Sequence, residues 1–198
     1  MLIVIINLYR RRYESSYFSP AYFYWGDRAC INKKRRLSIW PLVIYSPTYK
    51  YYALITYGIG NSEFVPFDEF ILKDNTNRII YTKTNFNHTV VDIGDNGWVV
   101  GGDFDGPISG RAILHFYDAK GIKYNTAEIG FFNQRAFSGN GSIYCVLDGL
   151  YGLRIFTKNG TPLYNLGNGN AFAVSYDGSY IALVKDEELV LFLDGKKI

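Results

Sequence analysis

A short turn followed by an apolar run recurs along this chain at roughly 40-residue intervals, and a period of that size signals a stacked or radial repeat of small structural units. Gly94-Asp95-Asn96-Gly97 precedes Trp98-Val99-Val100, Ser138-Gly139-Asn140-Gly141 precedes Ser142 to Val146, and Ser175-Tyr176-Asp177-Gly178 precedes Ser179 to Leu183. Further upstream, Ser46-Pro47-Thr48-Tyr49 precedes Lys50-Tyr51-Tyr52-Ala53-Leu54 in the same register, but without the glycine. That turn is therefore expected to use another geometry. A strand-like run leads into each turn: Leu42 to Tyr45, Thr89 to Ile93, Arg135 to Phe137 and Ala171 to Val174.

A second hairpin follows in every unit. Leu114 to Gly121 aligns with Leu153 to Gly160, each with an aromatic four residues before the turn glycine, and Leu191 to Gly195 repeats the pattern one residue shorter. In the earliest unit, Phe70 to Lys73 runs into Asp74-Asn75-Thr76-Asn77 and out through Ile79 to Tyr81. Asn and Asp tolerate positive φ and bond their own backbone, so they can do there what glycine does elsewhere. Two hairpins per unit mean about four antiparallel strands, and four units fill residues 41–198 as one repeat domain. Residues 1–40 read as an irregular N-terminal segment holding part of a fifth unit, with Arg28 to Asn32 and Leu37 to Trp40 as its hairpin.

The runs Tyr180 to Val184 and Leu189 to Leu193 are apolar at successive positions, so such strands expect cover on both faces. A four-stranded sheet packed between two similar sheets has that environment, as a blade does in a β-propeller. A β-sandwich is the alternative, but its strands usually alternate apolar with polar. The expected fold class is all-β, a β-propeller-like array of four-stranded antiparallel blades whose ring is incomplete or is completed by Leu2 to Ile6, by further chain or by a second copy. An open array would expose a sheet face and edge, inviting self-association.

These segments resemble the propeller repeats of the WD-repeat, TolB-like and quinoprotein-like group, in which a strand is followed by Ser-Pro-Asp-Gly-Lys-Tyr-Ile-Ala and a second strand. Ser175 to Ala182 and Ser46 to Ala53 each carry part of that element. The Trp-Asp dipeptide of WD repeats is absent. The resemblance implies a propeller fold and leaves function open, because such folds host binding and catalysis alike.

Composition supports the strand reading. Aromatic residues make up 18% of the 198 residues, and 20 are glycine, which suits many short strands joined by tight turns. A net charge of +3 gives no strong case for nucleic acid, and the basic clusters Arg10 to Arg12 and Lys33 to Arg36 are expected on solvated loops. Cys30 and Cys145 make neither a disulfide framework nor a metal site, and Cys145 is expected to be a small buried hydrophobe. Met1 to Ile6 is too short to span a bilayer and lacks signal-peptide flanks, so it reads as a strand, with a cytoplasmic location by default.

Few residues announce chemistry. His88 and His115 have no Cys or His at ligand spacing, so each is expected to be a packed histidine rather than a metal ligand. Gly102-Asp103-Phe104-Asp105-Gly106 resembles the start of a calcium loop but lacks its later oxygen ligands, and a hairpin turn is expected there. Tyr22, Phe23, Tyr24 and Trp25 are expected in blade packing rather than as a ligand platform. No catalytic, cofactor-binding or metal residue is assigned, and no cofactor is expected. The leading expectation is a non-enzymatic scaffold that binds a protein or peptide through its blade loops. The alternatives are a ligand-binding or catalytic propeller with a polar central channel, and a truncated array without independent function. Convergence of Asp92, Asp95, Asp103, Asp105 and either histidine would favour a catalytic or ligand-binding propeller.

Overall fold

The computed structural model describes residues 42–57, 67–104 and 111–198, all within the compact unit that begins at Ile39. The expectations for Leu2 to Ile6, Arg10 to Arg12, Tyr22 to Trp25, Cys30, Lys33 to Trp40 and Asp105 lie outside the described residues. Among the described residues, sixteen strands form four antiparallel sheets of four, each a meander in chain order. The first holds β1 (Leu42–Tyr45), β2 (Tyr51–Tyr57), β3 (Phe67–Asp74) and β4 (Ile79–Thr84). The second holds β5 (Val90–Ile93), β6 (Val99–Phe104), β7 (Ala112–Tyr117) and β8 (Lys123–Ile129). The third is β9 (Phe132–Phe137), β10 (Ile143–Asp148), β11 (Gly152–Thr157) and β12 (Pro162–Asn165). The fourth is β13 (Ala171–Val174), β14 (Tyr180–Lys185), β15 (Glu188–Leu193) and β16 (Lys196–Lys197). No helix occurs among the described residues.

The sheets stack as propeller blades because their strands are apolar on both faces. Successive side chains point to opposite faces of a strand, so neighbouring residues bury into different cores. In β6, Val99 joins the core shared with the first sheet, beside Phe70, Leu72 and Tyr117, while Val100 joins Leu114 and Phe116 against the third. In β10, Tyr144 and Val146 face the second sheet, and Cys145 and Leu147 face the fourth alongside Ile181 and Leu183. Each fully buried side chain of this size is worth about 2 kcal/mol, so most of the stabilisation lies between sheets. Cys145 is fully buried, and burial pushes its thiol pKa well up, as befits a small hydrophobe. Two-sided cover is thus found for the middle sheets. The fourth sheet leaves Tyr180 and Leu189 about half exposed on its outer face, and the described sheets do not close into a ring.

The first strands of consecutive sheets lie side by side, and their turns tie one blade to the next. Thr48 N donates to Asp95 Oδ1 at 3.0 Å, Asn96 Nδ2 to the Gly141 carbonyl at 2.7 Å, and Asn140 N to the Tyr176 carbonyl at 2.8 Å. Asn96 and Asn140 therefore each do two jobs, accepting at Oδ1 from a backbone amide of their own turn and donating from Nδ2 to the neighbouring one.

The turn at Ser46 to Tyr49 corrects the expectation of a different geometry. Tyr49 N donates to the Ser46 carbonyl, as Gly141 N does to Ser138, and Tyr49 takes φ +62° where Gly141 takes +71°. The first repeat keeps the glycine turn without the glycine. Asn77, at φ +68°, does stand in for a turn glycine as expected. The β14–β15 hairpin instead turns on Asp186 and Glu187, both at positive φ.

These turns set up opposite substitution effects. Gly141→Ala places a methyl in left-handed backbone and within 2.6 Å of the Asn96 amide, and should cost about 2 kcal/mol. Tyr49→Gly relieves about 1 kcal/mol of backbone strain and forfeits an exposed ring contact with Tyr45 of similar worth. Denaturant unfolding should show a clear loss for the first variant and a change within about 0.5 kcal/mol for the second.

Candidate functional site

Folding brings together two histidines that the sequence keeps far apart. His115 lies on β7 opposite Gly101 of β6, and Tyr117 lies opposite Val99. Asp103 is two residues beyond Gly101, so its side chain shares the face of His115 and Tyr117. Gly102 to Phe104 is strand rather than the expected turn, and that difference puts the carboxylate here. His88 enters from the segment before β5, with Thr89 N donating to the Gly102 carbonyl at 2.9 Å.

A hydrogen-bonded cluster results. His88 Nδ1 lies 2.5 Å from Asp103 Oδ1, and His88 Nε2 lies 2.6 Å from the Tyr117 hydroxyl. His115 Nε2 approaches Asp103 Oδ2 at 2.8 Å, but without the alignment of a hydrogen bond. The two imidazoles stack at 4.8 Å, and Phe86 meets His88 edge-on at 4.4 Å. His88 is buried, His115 is largely so, and the Asp103 side chain keeps about a third of its surface (34%) in solvent. Gly101 makes the room: a Cβ there would fall 2.2 Å from the His88 ring. Glycine inside a strand marks such a close approach, and Gly101 is a signal in the sequence that could have pointed to His88 lying against β6.

Burial lowers the His88 pKa, and the Asp103 carboxylate only partly offsets it. For Asp103, burial works upward but the two imidazoles outweigh it and bring the carboxyl down to about 2. Tyr117 is pushed up to about 12, chiefly by burial, so its hydroxyl stays protonated at neutral pH. Among the described residues, His88, Asp103 and His115 form the only group whose metal-ligating atoms all lie within 4.8 Å of one another.

The other acidic residues go elsewhere. Asp92, on β5, accepts from Arg135 Nε of β9 at 2.6 Å and from the Tyr144 hydroxyl at 2.8 Å, locking two sheets together. Asp95 is buried and accepts from Thr48 N. Convergence is therefore partial: Asp103 meets both histidines, and Asp92 and Asp95 serve inter-sheet contacts.

A second feature lies at the opposite end of the blades from the Ser138 to Gly141 turn. The buried Asp148 carboxylate accepts from Gly130 N, Leu150 N and Tyr151 N, fixing two adjoining loops. Those loops present Phe131, Leu150 and Tyr151, each about half exposed. Beside them a cleft of about 350 Å³ is lined by Glu128, Tyr151, Arg154 and Asn165. Arg154 Nη1 donates to the Glu128 carbonyl at 2.5 Å and sits 3.7 Å from Asp148 Oδ2. Sequence reasoning missed this surface, because an aromatic in a loop is legible but its neighbours are not. No protein-family model matches the chain, and no curated protein matches it either.

Two outcomes follow from these contacts. Asp92→Ala leaves the fully buried Tyr144 hydroxyl and the Arg135 guanidinium without their shared acceptor, and should cost about 3 kcal/mol in denaturant unfolding. The second concerns acid, measured with a chelator present. The unfolded chain takes up a proton at His88 near pH 6.5, whereas folded His88 stays neutral to lower pH. Stability is thus fully present above that pH and lost as pH falls toward the depressed folded value. Asp103 acts in the same sense further down, below the ordinary carboxyl value of 3.8 and toward about 2. The thermal midpoint should fall between pH 7 and 5, and His88→Gln should flatten that slope.

Proposed function

We propose that the chain is a propeller-type scaffold, non-enzymatic in itself, that binds a protein or peptide partner through the loops at one end of its blades. The observation that carries this reading is the exposed group Phe131, Leu150 and Tyr151 on loops held by the buried Asp148, beside the cleft at Arg154. Apolar and aromatic side chains held exposed by a rigid frame supply anchor area at little entropic cost, and Tyr and Arg are enriched among residues that dominate binding energy. Kinship with the WD-repeat, TolB-like or quinoprotein-like group is part of the same proposal, supported by the repeated Ser and Asp-Gly turn positions.

A ligand-binding or catalytic propeller is the second reading, and the cluster of His88, Asp103 and His115 favours it. Against it stand Asp92 and Asp95, both committed to inter-sheet contacts.

Selection of a random displayed peptide library on the purified protein tests the scaffold reading. Peptides with an apolar or aromatic anchor should be enriched, and Leu150→Ser/Tyr151→Ser should weaken their binding by at least about tenfold. Tyr45→Ser, at the other end of the blades, should leave it unchanged. Absence of enrichment, or enrichment indifferent to the Leu150 and Tyr151 changes, overturns the proposed binding face.

A further inference from the structure

We propose that His88, Asp103 and His115 form a binding site for a divalent transition-metal ion of the zinc class, with the Tyr117 hydroxyl orienting His88. Two imidazoles and a carboxylate are a donor set that suits zinc and its neighbours, and three protein ligands leave a further position open for water. Their ligand atoms already lie within 4.8 Å of one another, on a sheet face and a segment pinned by main-chain bonds.

A second observation points the same way. Both ring nitrogens of His115 are shielded from solvent, and neither has a hydrogen-bond partner among the described residues. Buried polar atoms without partners are few in folded proteins and call for a reason. Nε2 nevertheless lies 2.8 Å from Asp103 Oδ2, on the side where a shared cation would sit. An ion between them supplies the partner that the carboxylate, off-line as it is, does not.

His88 already has a group that can orient it as a ligand. A metal-bound histidine almost always donates its other ring N–H to an acceptor that fixes its orientation. Here His88 Nδ1 faces Asp103 and Nε2 lies 2.6 Å from the Tyr117 oxygen. Without metal, the proton on Nδ1 serves the Asp103 contact and Nε2 accepts from the tyrosine. With metal, Nδ1 gives its lone pair to the ion, the proton resides on Nε2, and Tyr117 becomes the acceptor. The imidazole stays neutral and changes tautomer, so no net proton is released at His88. The 2.5 and 2.8 Å separations need to open to roughly 3.3 Å for a tetrahedral ion. The exposed part of Asp103 gives the ion its entry. Lys83 is the cation to consider, with its Nζ 4.3 Å from the Tyr117 ring centre on the neighbouring strand β4, where it opposes a bound ion electrostatically.

The test uses the full chain after chelator treatment, titrated with Zn²⁺ by calorimetry and with Co²⁺ by visible absorption. One equivalent should bind, with the absorption of a Co²⁺ ion in an N/O site. Asp103→Asn and His115→Gln should abolish that saturable binding while circular dichroism keeps the all-β spectrum. Tyr117→Phe should weaken it about tenfold. Because the chain holds two histidines, nitrogen-15 imidazole spectra of the unaltered protein give an answer that needs no variant. Zinc should move both imidazoles, His88 binding through Nδ1 and His115 through Nε2. Absence of saturable binding overturns the site. So does binding that leaves both imidazole spectra unchanged or survives in Asp103→Asn and His115→Gln, since the ion then sits elsewhere.

Discussion

Apolar burial between consecutive sheets is the interaction on which the rest of this structure depends. A strand such as β10 sends Tyr144 and Val146 to one side and Cys145 and Leu147 to the other, so a single sheet cannot satisfy it. Removing apolar surface from water is roughly proportional to area, and only another sheet of similar size offers enough. The repeat follows from that requirement. Each blade is a small meander of local hairpins, simple to form, and its stabilisation comes chiefly from its neighbours.

Polar groups are placed to secure the same contacts rather than to compete with them. Asp92, Arg135 and Tyr144 join β5, β9 and β10, and Gln134 Oε1 accepts from Phe172 N to join β9 and β13. Asn96 and Asn140 carry the link at the turns. The turn glycines of the second hairpins have a related role. A Cβ at Gly160, on the third sheet, would fall 2.5 Å from the Phe116 ring of the second, and one at Gly195 would fall 2.5 Å from Tyr164 of the third. Aromatic rings of one blade thus lie close against the turn glycines of the next.

The histidine cluster departs from this economy. A buried polar set inside an otherwise apolar interface costs desolvation, offset in part by the bonds among His88, Asp103 and Tyr117. It also requires a glycine at position 101 in mid-strand, which weakens β6 on its own account. The loop surface at Phe131, Leu150 and Tyr151 is a different kind of departure. There a buried carboxylate holds backbone amides in place so that apolar side chains can face water.

Local chemistry fixed much of the fold in advance. Alternation of turn residues with apolar runs placed the hairpins, because Gly, Asn and Asp are the residues that accept the backbone angles a tight turn needs. Runs apolar at every position implied stacked sheets, and β10 is indeed covered on both faces. Tyr180 to Val184 of the fourth sheet, by contrast, is covered on the Ile181 and Leu183 face and leaves Tyr180 half exposed. The Tyr49 turn escaped, because a turn bonded from Tyr49 N to the Ser46 carbonyl and from Thr48 N to Asp95 Oδ1 places a bulky residue in left-handed backbone that its own preference opposes. Gly102 to Phe104 escaped because glycine and aspartate read as turn when their cross-strand partners are unknown. The site was decided by three dimensions alone. His115 lies beside Asp103 through pairing of β6 with β7, and His88 reaches them because Gly101 carries no side chain. Distances of that kind are set by strand register and sheet packing, which bring together residues whose spacing along the chain carries no trace of it.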